Sequence, residues 1–428
     1  MLKAGVSIVD ISPEKGIELS GYPHCPRNNL GIHDPLYASC IYLNNGTEDV
    51  VIVAMDLLFF GRPYVLEMRE RIGKPVFFTC THTHSGPRVS QRLGTELDTP
   101  QEILDQEKVY SEILLNKLEP AIREAMDNTF EAELGFEVGK CGGEQGVGGN
   151  RRSKDGLCDP SVNVMAVREK ATKKVRGVFL NYALHPTFMH EDNLLVSADY
   201  PAYTRRYLSF AAPDAVFLFA QGTSGNQSSR YFRVGQDFDE AARVGTTLGV
   251  EVFHCLERME YMSEVKLGIR STFVNPDIKT FPPREEAEAF LAEKRAHWES
   301  LKASGASWLD CWNAELEMFG AEGVVGYSIM QETGFENPDL PAEIQILTFN
   351  DHAIVGLQGE QFVEYGLQIK EASPFKTTFV TAVTNGVLPG YCYTPEAVAD
   401  GGYEVGNSSL APNAGSQFVQ AAVKLLNE

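Results

Sequence analysis

The stretch FFTCTHTHSGP at residues 77–87 places two of the nine histidines of the chain directly after an apolar run. His82 and His84 are two residues apart, and residues i and i+2 of a strand face the same side. We therefore expect both imidazoles on one side of a strand end, where Ser-Gly-Pro turns the chain. Ligands of α/β proteins bind at the carboxyl ends of strands. The alternative is a pair of histidines that only cap a strand.

Strand-like runs recur outward from this stretch, and many are β-branched or aromatic and bounded by turn residues. They cover residues 49–58, 75–82, 131–140, 175–184, 214–222, 264–274, 343–350, 352–360 and 376–385, and the N-terminus is also predicted to be a strand. Helical periodicity covers residues 101–126, 239–259 and 283–304, with shorter candidates at 362–372 and 416–426. The sequence predicts one large α/β catalytic domain over residues 1–428, with mixed sheets flanked by helices.

Residues 281–327 differ from their surroundings because they are charged, strongly helix-forming and poor in strand signals. The simpler interpretation is a helical insertion on the surface of the domain. The alternative is a lid over a site.

Composition limits the possible partners. The chain has 428 residues, a formal net charge of −21 and a pI of about 4.9. An acidic surface argues against nucleic acid as a partner, although it leaves room for a local basic pocket. The longest apolar runs are too short to span a bilayer. The N-terminus does not resemble a signal peptide, and eight scattered cysteines without a CxxC pair are expected to be reduced and buried. These features predict a cytoplasmic location and leave the oligomeric state open.

Further polar residues emerge from apolar runs. His185 follows one such run, and Pro186 after it ends the strand and fixes the local turn. Glu360 ends another run, and Gly359 before it allows close approach of the backbone. Two histidines and a carboxylate would suit zinc. Asp56 also needs a partner, which is a metal, a histidine N–H or a set of backbone N–H groups.

Two segments rich in turn residues are candidates for substrate contacts. The loop FAQGTSGNQSSRY at residues 219–231 offers N–H groups and hydroxyls to an oxyanion, although it matches neither GxSxG nor a P-loop and could be an ordinary polar turn. The second segment, NGVLPGYCYTPEAVADGGYEV, carries Tyr391, Tyr393 and Tyr403.

Taken together, THTHSGP, NYALHPT with SADYP, FAQGTSGNQSS, LQGEQF and TNGVLPGYCYTPEA resemble, in this order, the catalytic domain of the neutral/alkaline, non-lysosomal ceramidases. The opening elements LSGYP and GIHDPLYASCIYL fit as well. The resemblance implies a zinc ion held by two histidines, a glutamate and a tyrosine, which fall on His82, His185, Glu360 and Tyr391. It also implies that His84 stabilises the tetrahedral intermediate, that Arg151 contacts substrate, and that Ser228 takes the place of the family's serine.

The chain departs from that family in the loop at residues 225–229, which reads Gly-Asn-Gln-Ser-Ser where the family has Gly-Asp and later Ser-Pro. We predict a zinc-dependent amidohydrolase in which His84, Arg151 and Tyr403 stabilise the oxyanion and protonate the leaving amine. Its expected substrate is a small amide, sphingolipid-like or more soluble. The alternatives are a metal hydrolase of a soluble non-lipid amide or ester, a (β/α)₈ amidohydrolase, and a ligand-binding homologue without catalysis.

Overall fold

The computed structural model describes residues 1–22, 27–89, 101–334 and 336–428. Its longer strands are β1 (Lys3–Asp10), β3 (Tyr37–Asn44), β4 (Asp49–Met55), β5 (Val76–Cys80), β6 (Phe130–Lys140), β8 (Ser161–Glu169), β9 (Val175–Tyr182), β11 (Val216–Gln221), β14 (Leu267–Val274), β15 (Ala342–Phe349), β16 (His352–Leu357) and β18 (Thr377–Thr381). The two-residue strands are β2 (Gly31–Ile32), β7 (Gly149–Asn150), β10 (Leu195–Val196), β12 (Gln227–Ser228), β13 (Tyr261–Met262), β17 (Glu360–Gln361) and β19 (Tyr391–Cys392).

The helices connect and cover these strands. They are α1 (Arg62–Ile72), α2 (Gln101–Asp127), α3 (Tyr200–Ala211), α4 (Phe238–Arg258), α5 (Arg284–Ser304), α6 (Trp308–Thr333), α7 (Val363–Ala372), α8 (Ala397–Asp400), α9 (Tyr403–Gly406) and α10 (Ala414–Leu426).

Two mixed sheets form the centre of the molecule. The larger has the order β11-β9-β8-β6-β1-β3-β4-β5, with β13 paired to β6, and the smaller has the order β14-β15-β16-β18. In both sheets most neighbours are antiparallel, but β4 with β5, β9 with β11, and β16 with β18 are parallel. The predicted class, mixed sheets flanked by helices, is therefore confirmed.

The two faces of each sheet are buried by different neighbours, which gives four layers. One face of the large sheet packs against α1 and α2 at one end and α3 and α4 at the other. Its opposite face contributes Ile52, Phe77 and Leu218 to a core shared with Phe349 and Phe379 of the small sheet. The far face of the small sheet packs against α7 and α10. Because both faces of β4 and β5 are covered, these strands read as continuous apolar runs.

All nine predicted internal strands, the N-terminal strand and the five predicted helices are present, with ends shifted by a few residues. The sequence did not reveal β3, β8, α1 or α3, and it predicted helix over most of α6 without separating it from α5. Helix α6 carries Gly320, Gly323 and Gly326, which lower helix propensity, so its stability depends on packing. The described sheets are open and mostly antiparallel, so they do not form the regular β/α repeat of a (β/α)₈ barrel.

Helices α5 and α6 form a hairpin, which we call the helical hairpin. Lys294 and Arg295 of α5 form ion pairs of 2.9 Å with Glu317 and Glu322 of α6. Helix α6 lies backbone to backbone on α9: a Cβ on Gly320 would lie 3.4 Å from the Cα of Gly406. The helical content predicted for residues 281–327 is present and extends to Thr333. Its status as an insertion or a lid stays a prediction.

Seven cysteines lie in the described ranges, and none of them is in a disulfide. Five are buried as predicted, but Cys158 and Cys311 are partly exposed, so the prediction of burial is wrong for those two. Cys25 lies outside the described residues. Across those same ranges, none of the helices combines the length and the apolar character that crossing a bilayer requires.

We expect the helical hairpin to tolerate charge reversal at exposed positions but not a larger side chain at the point where α6 contacts α9. Glu285→Lys and Glu299→Lys should change the free energy of unfolding by less than about 0.5 kcal/mol. Gly320→Leu should cost about 1–3 kcal/mol, because its side chain has no room against Gly406. Urea unfolding of the three variants measures the difference, and equal stabilities would show that the α6–α9 contact is not close in solution.

A second prediction concerns the ion cluster between β6 and β8. Glu133 accepts hydrogen bonds from Lys173 at 2.9 Å and Arg168 at 2.7 Å. Hydrogen bonding, first from Lys173 and then from Arg168, lowers the pKa of Glu133 from 4.5 to about 2. Since the folded-state pKa is the lower one, this stabilisation is complete above about pH 4.5 and is lost as the pH falls towards 2.

The free energy of unfolding of Glu133→Gln should therefore fall below that of the native chain at neutral pH, and the difference should shrink between pH 4.5 and 2. Urea titrations at several pH values test this, with exposed Glu131→Gln as the control. A difference that does not vary with pH would mean that the Glu133 pKa is not shifted.

Candidate metal centre

The candidate centre forms where parallel strands of both sheets end. His82 follows β5, His185 follows β9, and Glu360 follows β16. The segment 381–385 joins these ends: Asn385 N–H donates to Phe78 O beside β5 at 2.9 Å, and Ala382 N–H donates to Gln221 O of β11 at 2.8 Å. It thereby connects the two edge strands of the large sheet, which brings their carboxyl ends to one place.

The HxH pair does not continue the strand, although the sequence analysis expects both imidazoles on one side of a strand end. Strand β5 ends at Cys80, and His82 has a φ of +66°, in the left-handed region that non-glycine residues seldom adopt. A strand geometry would have placed both imidazoles on one face side by side. Instead the rings of His82 and His84 are 5.1 Å apart and nearly perpendicular. The strained backbone of His82 turns its ring towards His185, and such strain is concentrated at functional sites.

Three atoms with lone pairs converge at the centre. The Nε2 atoms of His82 and His185 are 3.2 Å apart, and Oε2 of Glu360 is 3.0 Å from the second and 3.3 Å from the first. Zinc binds histidine nitrogen and carboxylate oxygen at about 2.0–2.2 Å, so the edges of its tetrahedron are about 3.3 Å long. The three edges shown here therefore fit a tetrahedral metal site.

The tautomers of the two histidines follow from their other nitrogens. Nδ1 of His82 donates to Leu58 O at 3.0 Å, and Nδ1 of His185 donates to Ser224 O at 2.8 Å. A neutral imidazole with its proton on Nδ1 presents the Nε2 lone pair, so two lone pairs face a carboxylate. Such an arrangement needs a proton or a cation at its centre. Burial, and then the charge of Arg151, lower the pKa of His185 to about 4, which disfavours the proton.

His84 lies beside the two other histidines without a hydrogen bond to them. One nitrogen of each of His82, His84 and His185 lies within 4.8 Å of the others, so these three also form a possible metal group. The set with Glu360 is tighter. Both ring nitrogens of His84 are buried and have no hydrogen-bond partner within the described structure. Burial, and then the neighbouring His82, hold the pKa of His84 well below 6.5, so it is neutral.

The opening loop holds the His84 ring in place. Gly21 has a φ of +105°, and a Cβ there would lie 2.5 Å from Nδ1 of His84, so only glycine fits. The ring of Tyr22 is 5.0 Å from that of His84, and Tyr22 donates to Met189 O at 2.8 Å. Arg27 donates to His84 O at 2.7 Å. Sequence reasoning cited LSGYP only as a resemblance, because nothing in it signals contact with a histidine.

Arg151, Tyr391 and Tyr403 lie on the other side of Glu360. The parallel pair β17–β19 places Tyr391 opposite Glu360, and the Arg151 guanidinium carbon is 5.5 Å from the Tyr391 ring centroid. The rings of Tyr391 and Tyr403 are 6.0 Å apart. Burial and Glu360 raise the pKa of Tyr391 well above 10, and that of Tyr403 to about 12. Both phenols are therefore protonated as the chain stands, and Tyr391 as the fourth ligand stays a prediction.

The sequence reasoning missed Glu404, which fixes Arg151. Arg151 Nε donates to Glu404 at 2.7 Å, and Arg152 Nη1 donates to the other oxygen at 2.7 Å. The only sequence signal was an acidic residue beside Tyr403 in a glycine-rich turn.

The glycine-rich loop after β11 supports the centre from behind. Ser224 O accepts from His185, Gly225 N–H donates to Gln361 O at 2.9 Å, and the Asn226 side chain accepts from Val363 N–H at 3.0 Å at the start of α7. Ser228 is buried on β12, and its hydroxyl accepts from Arg230 N–H at 3.2 Å. Among the described contacts, Ser228 has no hydrogen bond to the histidines, so its catalytic role stays a prediction.

Two other acids are occupied elsewhere. Asp56 accepts from Tyr37 N–H at 2.8 Å and from Arg205 at 2.6 Å, which corresponds to the alternative of a buried acid with structural partners. Asp199 accepts from Phe188 N–H at 2.9 Å and Tyr200 N–H at 2.6 Å, and so holds the loop after His185.

Comparison with known proteins identifies relatives by structure only. No protein-family model and no curated protein matches the sequence. Neutral ceramidase from Pseudomonas aeruginosa superposes with a TM-score of 0.73 at 19% identity, covering 99% of this chain and 74% of the other. A ceramidase complexed with C2 gives a TM-score of 0.73 at 17% identity over the same shares. The chain therefore has the neutral ceramidase-like fold.

Proposed function

We propose that this chain is a zinc-dependent amidohydrolase of the ceramidase type. The observation that carries the proposal is the convergence of His82 Nε2, His185 Nε2 and Glu360 Oε2 within 3.3 Å, on a fold shared with a neutral ceramidase. Two nitrogens and one carboxylate oxygen are a donor set found in catalytic zinc sites, and they leave the fourth position of the metal open. Tyr391, which is paired with Glu360 in β17–β19, is proposed as the residue for this position.

Zinc, when bound, lowers the pKa of a water and polarises a carbonyl group. The chain's own residues supply the rest. His82 and His185 keep their Nε2 lone pairs available because their Nδ1 protons are held by Leu58 O and Ser224 O. The bonds of these two protons to fixed backbone carbonyls also orient the rings, and such support strengthens metal affinity.

His84 and Arg151 would act on the substrate. The buried, unpartnered nitrogens of His84 give a neutral imidazole one donor and one acceptor, which suits a group that stabilises an oxyanion and then transfers a proton to the leaving amine. Arg151 brings a positive charge that Glu404 holds in place, and Tyr403 adds a protonated hydroxyl. These donors are already oriented before substrate binds.

The substrate is proposed as an amide, in line with the ceramidases that share the fold. A soluble non-lipid amide or ester and a non-catalytic binding function are kept as alternatives. The cytoplasmic location stays a prediction. Turnover of an N-acyl substrate panel by zinc-loaded protein tests the proposal, and zinc binding without any turnover would favour the binding function.

The roles of the histidines predict different metal contents. His82→Ala and His185→Ala should each remove most of the metal, because each deletes a lone pair of the central set. His84→Ala should retain the metal and lose activity. Elemental analysis and turnover measure both effects, with exposed His297→Ala as the control. Loss of metal in His84→Ala would instead assign the metal to the three-histidine group.

Glu360→Gln should reduce metal affinity by more than the roughly 10–100-fold that is typical of a residue one layer outside the ligands. The substitution keeps the shape of the side chain and removes the charge that two lone pairs face. Competition with a chelator measures the affinity, and exposed Glu371→Gln is the matched control. Unchanged affinity would mean that a different carboxylate holds the metal.

A further inference from the structure

Arginines are concentrated around the candidate centre although the chain as a whole carries a net charge of −21. Besides Arg151 they are Arg152, which pairs with Glu404; Arg230, which donates to Arg151 O; Arg233, on the same turn as Arg230; and Arg27, which donates to His84 O. A local excess of guanidinium groups in an acidic protein gives a positive field at one place, and such a field attracts an anion.

The charge of Arg151 and Arg152 is only partly compensated within the described residues. Glu404 is the single carboxylate that pairs with both Arg151 and Arg152 among the described residues. Arg151 is 9% exposed, and its Nη2 is buried without a hydrogen-bond partner in the same part of the chain. An unpartnered guanidinium nitrogen in a buried site costs free energy unless a ligand completes it.

Arg230 and Arg233 extend this positive surface outward. Both lie on the turn that follows Ser229, whose carbonyl accepts from Arg233 N–H at 2.8 Å. Arg230 is exposed, and its Nη1 donates to Arg151 O at 3.2 Å. Neither guanidinium forms an ion pair with a carboxylate of the described chain. The turn thus presents two cations without a directly paired carboxylate, and Arg230 lies against the backbone of Arg151, the residue proposed to contact the amide.

The electrostatic neighbours of the two arginines agree with this placement. Although the Arg230 side chain reaches the surface, the protein around its guanidinium, and then the charge of Arg151, lower its pKa, and Glu404 opposes this. Burial and then Arg230 lower the pKa of Arg233, and Tyr22 and Glu240 oppose this. Burial, and then Asp199, raise the pKa of Tyr22, and the charges of Arg27 and Arg233 oppose this rise. The ring of Tyr22 lies 5.0 Å from that of His84. The positive surface therefore runs from Arg151, through Arg230, to the Tyr22 side of His84.

We propose that Arg230 and Arg233 form an anion subsite that binds a carboxylate on the amide substrate, so that the preferred substrates are amides of the N-acyl amino acid class. This inference rests on the proposed amidohydrolase function and deepens it. Arginine binds carboxylate through two parallel N–H···O bonds, which gives orientation as well as affinity. A neutral amide offers no charge to these two groups, whereas a carboxylate near the amide would pair with Arg230, whose Nη1 donates to Arg151 O at 3.2 Å.

Matched substrates and variants test the subsite. N-octanoylglycine and N-octanoylethanolamine share an acyl chain and differ in a carboxylate or a hydroxymethyl group on the amine side, and an N-alkylsuccinamate places the carboxylate on the acyl side. The variants are Arg230→Gln, Arg233→Gln and the double variant, with exposed Arg206→Gln on α3 as the control for lost charge. Zinc content and circular dichroism confirm that each variant is folded and loaded.

We expect kcat/KM for a carboxylate substrate to fall about tenfold for each arginine removed, as for the loss of one charged hydrogen bond. Turnover of N-octanoylethanolamine should not change, and Arg206→Gln should behave as the native chain. Higher ionic strength should weaken only the carboxylate substrates, because these side chains are accessible to salt. An equal loss for all three substrates, or no loss for any, would overturn the subsite.

Failure of the proposed function is distinguishable from failure of the subsite. Calorimetric titration of N-octanoylglycine into the metal-free full chain reports binding without turnover. Binding that the double variant loses supports the subsite even if the loaded protein hydrolyses nothing, an outcome that would reject only the amidohydrolase. Turnover of all substrates with equal binding in native and double variant would reject only the subsite.

Discussion

The repulsion among three lone-pair atoms at the strand ends is the constraint on which the rest of the structure depends. His82, His185 and Glu360 come from distant parts of the chain, and nothing within the trio attracts its members to 3.3 Å. Their approach is imposed from outside, by carbonyls that hold both Nδ1 protons and by the segment 381–385 that joins the sheet edges. The free energy for this comes from the buried cores above and below the two sheets. A cation relieves the repulsion, and its binding therefore stabilises the folded chain.

The ligand candidates could be predicted from sequence because each is a polar residue at the end of an apolar run. Strands β5, β9 and β16 are largely buried, so His82, His185 and Glu360 stand out against continuous apolar segments. The direction of the rings could not be predicted, since a left-handed φ at His82 depends on contacts beyond the local sequence. Asp56 stands out in the same way and yet binds Arg205, which shows that the signal identifies a buried polar group and not its partner.

The residues that surround the ligands were harder to find. Glu404 lies more than 250 positions from Arg151, in a turn whose glycines and tyrosine give no indication of an ion pair. The net charge of the whole chain also does not predict the charge near the candidate centre. A total of −21 describes the average surface, whereas the charges near the centre include Arg151, paired with Glu404, and Arg230, whose Nη1 donates to Arg151 O. Composition therefore limits the class of partner but does not determine the charge of a particular substrate.

The contact between Gly320 and Gly406 has a consequence for how the sequence can vary. No side chain separates α6 from α9, so no rotamer change can absorb a shift between them. Residues can be added or removed at the turn between α5 and α6 without altering that contact, because the turn ends before α6 begins at Trp308 and Gly320 lies near the middle of α6. A change of one residue within α6 before Gly320 would instead rotate the glycine face away from α9 by about 100°. Length variation among homologues should therefore occur at the tip of the helical hairpin, and it should be absent from the part of α6 that precedes Gly320.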